Sequence, residues 1–183
     1  MEICTSIDSL QAAQRNWVER AGGSIRAGFI PTIGKLHVGY RSVVEQARRE
    51  NECVVLSVFA SPDRFGSMEE YRRHSYDIEK DQGEALRVGV DIFFAPAVEE
   101  LYTNSHSTRV MVDPVAEDGR DDFRGRFDGV ATEVLKLCQL VRPHTLYWEC
   151  DDSQQMEVIR QMVEDLYLPI RLVGVPAVCG MDL

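Results

Sequence analysis

The strongest constraint in this chain is a series of continuous apolar runs separated by helical patterns. Ala27 to Ile30, Cys53 to Phe59, Val90 to Ala95, Thr145 to Trp148 and Ile170 to Val175 read as strands. They are apolar at successive residues rather than at alternate ones, which suits strands covered on both faces. Between them, Val130, Val134, Leu137, Cys138 and Val141 share one helical face, as do Met156, Ile159, Val163 and Leu166. Thr5 to Asp8 supplies capping side chains before a helix over Leu10 to Arg20, which Gly22-Gly23 stops. Strands alternating with helices predict right-handed crossovers and an α/β fold, a parallel sheet with helices on both faces. Only Thr103 to Arg126 is irregular, so residues 1–183 are expected to form a single domain.

Composition narrows the function. Apolar residues make up 44%, enough to fill a core. The net charge of −10 repels a phosphate backbone, so no nucleic-acid partner is expected. No run approaches the roughly 20 apolar residues of a membrane span, and the start shows no signal-peptide pattern. The five cysteines lack C-x-x-C spacing, and no histidine pair has ligand spacing, so no metal site is expected. Cys53 and Cys138 read as small core residues, and a reducing cytoplasm is the expected location.

In sheets of this type ligands bind beyond the carboxyl ends of the strands, where strand order reverses. The loops after Ile30, Phe59, Ala95, Trp148 and Val175 therefore matter most. The first reads Pro31-Thr32-Ile33-Gly34-Lys35-Leu36-His37-Val38-Gly39-Tyr40 and leads into a helix. Gly34 permits close backbone approach, Gly39 permits tight packing, and free amides at the helix start favour an anion. His37 can donate to a phosphate oxygen, although a plain strand–loop–helix turn has the same outline.

This loop resembles the PTMGALHxGH segment of the pantothenate synthetase (pantoate–β-alanine ligase) family. Ser61-Pro62-Asp63-Arg64-Phe65-Gly66 resembles its N-P-x-Q-F-G segment, and Gly89-Val90-Asp91 through Tyr102 its GVD..FAP...EMY stretch. Phe127-x-Gly129-Val130-Ala131-Thr132 with Leu135-Lys136-Leu137 resembles HFxGVxTVVxKL. Asp152-Ser153-Gln154-Gln155 resembles GEKDxQQ, and Gly174-Val175-Pro176 resembles GVPTVRE. The resemblance implies a Rossmann-like nucleotidylyltransferase fold of the HIGH superfamily. It implies activation of a small carboxylic acid by ATP, with magnesium, as an acyl-adenylate that an amine then captures. It implies nucleotide contacts at Thr32, Ile33, Gly34, Lys35, His37 and Gly39, and acid contacts at Ser61, Arg64, Arg126 and Gln155. Catalytic positions fall on His37, Tyr40 and Asp152, and a homodimer is implied.

Several family positions are changed. Tyr40 stands for the second loop histidine, and Asp151 for the lysine of GEKD, a two-unit change facing a triphosphate. Ser61 and Arg64 replace the asparagine and glutamine that cradle pantoate, and Arg126 replaces a histidine. Arg64 could clamp a substrate carboxylate through two parallel hydrogen bonds. The sequence also stops before the family's SRN segment and its C-terminal lid domain, which is expected to be absent. Lys35, Arg64 and Arg126 add cations near an anion site, so the expectation is an enzyme remodelled for a different acid and poor at making pantothenate. The alternative is a non-catalytic binding or partner subunit on the same scaffold.

Other features are weaker. His74 and His106 are expected to be solvated, and His144 to lie on the loop entering the Tyr147 strand. Cys150 with His37 and Asp152 permits a Cys–His nucleophile, though a loop-filling cysteine is the simpler reading. Glu117 to Asp122 reads as a solvated acidic loop.

Overall fold

The computed structural model describes residues 1–36, 38–74, 77–103, 106–112, 121–150 and 153–176; at 38, 121–126 and 153 only the backbone is described. Six strands form one sheet: β1 (Glu2–Cys4), β2 (Ala27–Thr32), β3 (Cys53–Val58), β4 (Ile92–Phe94), β5 (Thr145–Glu149) and β6 (Arg171–Val175). Their order is β1-β4-β3-β2-β5-β6, and every pairing is parallel. The expected strands are present with shifted ends: β2 and β5 run longer than expected, and β3, β4 and β6 shorter. β1 was not anticipated, because three residues at an edge carry too little pattern to register.

The helices are α1 (Ile7–Arg20), α2 (Val38–Glu50), α3 (Met68–Arg73), α4 (Ile78–Val88), α5 (Val98–Leu101), α6 (Asp121–Val141) and α7 (Ser153–Asp165). The Ser6 side chain caps α1, with Ser9 returning the bond to the Ser6 amide. α6 begins earlier than its apolar stripe suggests, inside the stretch expected to be irregular.

Side chains alternate across the sheet even though both sets are apolar. Phe29, Val55, Ile92, Phe94, Leu146 and Trp148 enter a core closed by residues of α1, α6 and α7. Ile30, Val54, Leu56, Phe93 and Tyr147 enter a second core closed by α2 and α4. Cys4, Cys53 and Cys138 are buried, and burial pushes the Cys53 and Cys138 thiols up to about 12. The two expected to be core residues are therefore inert.

One contact fixes the depth of the site. Helix α6 lies directly on a short 3-10 turn, Pro62–Arg64, that follows β3. A Cβ on Gly129 would stand 2.2 Å from the Asp63 carbonyl oxygen and 2.8 Å from the Arg64 nitrogen. Backbone cannot retreat as a side-chain tip can, so only glycine fits. Gly129→Ala should lower stability by about 1–3 kcal/mol, seen as a lower urea midpoint, by forcing the turn and α6 apart.

Candidate active site

The chain runs from β2 outward through β3 to β4, then returns to the other side of β2 for β5 and β6. The reversal falls between β2 and β5, and sheets of this type bind ligands in the crevice beyond the carboxyl ends of such strands, here Thr32 and Glu149. Three segments meet there: the loop after β2, the turn after β3 and the start of α7.

The loop after β2 is held from within. Gly34 and Lys35 adopt positive φ values of 91° and 59°, the second outside the comfortable range of a non-glycine residue. Buried Asp81, from the first turn of α4, accepts the Lys35 and Leu36 N–H groups at 2.9 and 2.7 Å. The Gly34 N–H donates to Thr32 Oγ1 at 3.0 Å. The amides of Gly34, Lys35 and Leu36, which precede the helix start, therefore already have acceptors within the protein. His74 Nε2 donates to the Ile33 carbonyl at 2.9 Å, and its ring packs 5.2 Å from that of Phe65. His74 is therefore a loop fastener and not a solvated residue. Lys35 keeps its side chain exposed, and Gly39 is buried in the first turn of α2.

Tyr40 follows on α2. Burial pushes its phenol above the usual range, Glu149 and Asp81 push further, and Thr32 and Arg64 draw it partly back. The group is a neutral donor near pH 7, as its chemistry predicted.

On the other side of the crevice lies a buried ionic cluster. Arg64 Nη1 donates to Glu133 Oε1 at 2.7 Å, and Arg64 Nη2 donates to Gln155 Oε1 at 2.8 Å. The second Glu133 oxygen accepts the Ser61 N–H at 2.7 Å. The Glu133 side chain is 1% exposed and that of Arg64 13%. The structure thus joins Ser61, Arg64 and Gln155, as the sequence suggested, around a residue the sequence reading passed over. The signal was available, since Glu133 is an acid three residues after Val130 on an otherwise apolar face. Each terminal nitrogen of Arg64 thus already donates one N–H within the protein, so its charge is shared with Glu133 before any ligand arrives.

Ser61 Oγ and Tyr102 Oη beside this cluster are buried, and neither reaches hydrogen-bond geometry. Burial pushes the Tyr102 phenol up to about 12; nearby Ser61 favours the phenolate, while Glu133 and Asp63 oppose it. The Tyr102 ring stacks on Phe59, carries Lys136 Nζ 3.9 Å above it and meets His106 edge-on at 4.7 Å. His106 Nε2 is itself buried without a hydrogen bond, so His106 too is not solvated. His144 does lie at the entry to β5, where its Nδ1 accepts the Ala27 N–H. Cys150 is exposed at the end of β5 with its sulfur 3.7 Å from that of Met156.

His37, Asp151 and Asp152 lie outside the described residues, as do residues 117–120, and the side chain of Arg126 is likewise not described. No group of three or more His, Cys, Asp or Glu side chains among the described residues could hold a metal ion. No described helix is long and apolar enough to cross a membrane.

Residues 2–182 match the sequence model of pantoate-beta-alanine ligase. The chain belongs to this family. Pantothenate synthetase of Thermus thermophilus is 47% identical over 157 residues, covering 85% of this chain and 57% of the relative. That of Aquifex aeolicus is 43% identical over 156 residues, covering 85% and 55%. The chain thus spans little more than half the length of these curated relatives. A crystal structure of the Thermus thermophilus enzyme superimposes with a TM-score of 0.86 at 42% identity, covering 97% of this chain and 62% of that one. The Francisella tularensis ligase, solved with a β,γ-ATP compound and β-alanine, gives 0.84 at 28% identity, covering 96% and 67%. The family's fold is the Rossmann-like nucleotidylyltransferase sheet found here.

Two measurements check the site. Asp81→Ala leaves two buried amides without acceptors and should cost about 2–5 kcal/mol in urea unfolding, with the loss localised to the loop by hydrogen exchange at Lys35 and Leu36. Tyr102 titrates higher folded than unfolded, so its contribution is complete below about pH 10 and lost as pH rises toward about 12. Unfolding free energy should fall across that window, and Tyr102→Phe should flatten the fall.

Proposed function

We propose that this chain carries the nucleotide- and acid-binding part of an ATP-dependent acid–amine ligase whose acid differs from pantoate. The observation that carries this reading is the Ser61–Arg64–Glu133–Gln155 cluster, set at the sheet reversal of a pantoate–β-alanine ligase fold. Family membership and a relative solved with an ATP compound and β-alanine support ATP and an amine as co-substrates.

In this reading the start of α2, with His37, Gly39 and the exposed Lys35, faces the phosphates. Helix amides and a cation suit that charge. Asp81 and His74 keep the loop in its strained shape, so no reorganisation is needed when the nucleotide arrives. Tyr40 supplies one neutral hydrogen bond where the family's histidine could supply charge. Magnesium, as the family resemblance implies, would ride chiefly on the phosphates and water. The acid lies against Ser61, Arg64 and Gln155, with Arg126 and Asp152 assigned nearby by resemblance. Its carboxylate oxygen attacks the α-phosphorus, pyrophosphate leaves, and an amine then displaces AMP from the acyl carbon.

The acid pocket supports a substrate other than pantoate. Where the family presents asparagine and glutamine, this chain presents a shorter hydroxyl and a longer guanidinium that reaches across to Gln155. By the same resemblance we infer a homodimer in the cytoplasm.

The test is acid-dependent exchange of pyrophosphate into ATP by the intact protein, over pantoate and a panel of small hydroxy acids. Exchange should be faster with another acid than with pantoate, and pantothenate formation should stay well below about one turnover per second. Tyr40→His should tighten ATP binding by up to about tenfold, about 1.4 kcal/mol, and more at pH 6 than at pH 8. Fast turnover with pantoate overturns the altered specificity. Absence of exchange with every acid supports the non-catalytic alternative instead.

A further inference from the structure

The geometry points to Glu133 as a positioning residue that sets acid specificity by consuming the charge of Arg64. This inference rests on the reading that the acid lies against Arg64 and Gln155, and it goes beyond it by naming what that surface rejects.

Arg64 alone would make the pocket cationic and would welcome a second carboxylate on the substrate. Glu133 cancels it. The acid is almost wholly buried and gives one oxygen to Arg64 Nη1 and the other to the Ser61 amide, so its position is fixed from two elements. The other terminal nitrogen of Arg64 is turned to Gln155, whose oxygen it holds. Arg64 and Glu133 together add no net charge where the family pattern has glutamine and valine. A substrate with a second carboxylate would therefore meet a guanidinium already paired and an acid a few ångströms behind it. Repulsion between like charges at that range is strong in a buried setting.

What the pocket leaves unsatisfied is neutral. Ser61 Oγ, on a residue with no exposed surface, and Tyr102 Oη have no hydrogen-bond partner among the described residues. Both are hydroxyls that can donate or accept, and they suit a substrate hydroxyl better than a charge. The other charged groups acting on this surface, Asp63, Arg109 and Lys136, come from the turn, the segment before α6 and α6 itself. Asp63 is paired with Arg109, and Lys136 is engaged by the Tyr102 ring and the Leu101 carbonyl. Neither cation is thus left to receive a second carboxylate. By pairing Arg64, Glu133 keeps the pocket to monocarboxylic hydroxy acids, the class to which pantoate also belongs, and closes it to the dicarboxylates that an unpaired Arg64 would admit.

The test uses matched acids that differ only in a methyl group or a carboxylate: 2-hydroxybutyrate against malate, and 2-hydroxyvalerate against 2-hydroxyglutarate. Binding to the intact protein is measured by calorimetry at neutral pH. The parent should prefer each monocarboxylate by at least about tenfold. Glu133→Gln keeps the shape of the side chain and frees the charge of Arg64, so it should erase or invert that preference. The double change Arg64→Gln with Glu133→Val should restore it. A gain of dicarboxylate binding cannot come from structural damage, which only weakens ligands. If the parent binds both members of each pair equally, or if folded Glu133→Gln keeps the parent's ratio, the role of Glu133 is overturned while the acid pocket stands. Should Glu133→Gln fail to fold, the parent's ratio and that of the double variant decide. If no acid binds the parent or the double variant, the acid pocket itself is overturned, and the role of Glu133 with it.

Discussion

Burial of both sheet faces governs this molecule. Phe29 and Ile30, neighbours in β2, enter different cores, and the same division repeats at Val54 and Val55 in β3 and at Leu146 and Tyr147 in β5. A strand so placed has no face left for polar chemistry. Reactive groups are driven to the strand ends, and parallel pairing gathers the carboxyl ends along one edge. The reversal between β2 and β5 then selects the point along that edge where two loops diverge and leave a crevice. Everything polar that this chain assembles for binding depends on that arrangement.

The loop after β2 shows how the edge is stiffened. Left-handed φ at Lys35 costs energy, and such a residue persists only if its surroundings insist on it. Asp81 does so through two backbone amides and His74 through the Ile33 carbonyl, one from α4 and one from the end of α3. The consequence for function is a division of labour. The middle of the loop is spent on its own shape, and in the proposed reading the start of α2 and the Lys35 side chain meet the anion.

The Arg64–Glu133 cluster follows a different logic. Taking an arginine and a glutamate out of water is costly, and the pair is tolerable only because each charge finds several hydrogen bonds. Glu133 uses both oxygens and Arg64 both terminal nitrogens, and Gly129 lets α6 approach the turn closely enough for them to meet. Such a cluster holds its geometry firmly, because removing one partner strands the other. It turns two charged substitutions into a neutral, rigid wall.

The sequence by itself determined the class of fold, the parallel sheet and most of its strands, because continuous apolar runs and a 3.6-residue stripe are local patterns. It also determined the family, through motifs spread in order along the chain, and it brought Ser61, Arg64 and Gln155 together as candidates. It did not reveal β1, whose three residues are too few to carry a pattern, or the early start of α6 in a charged stretch. Nor did it reveal what Arg64 would touch. The partner of Arg64 lies 69 residues away and the partner of the Lys35 amide 46 residues away, and no local spacing encodes either contact. Only the tertiary structure could decide that the added arginine is neutralised, that Asp81 occupies the loop amides and that His74 is a fastener. Electrostatic meaning belongs to pairs of residues, and pairs distant in sequence exist only once the chain has folded.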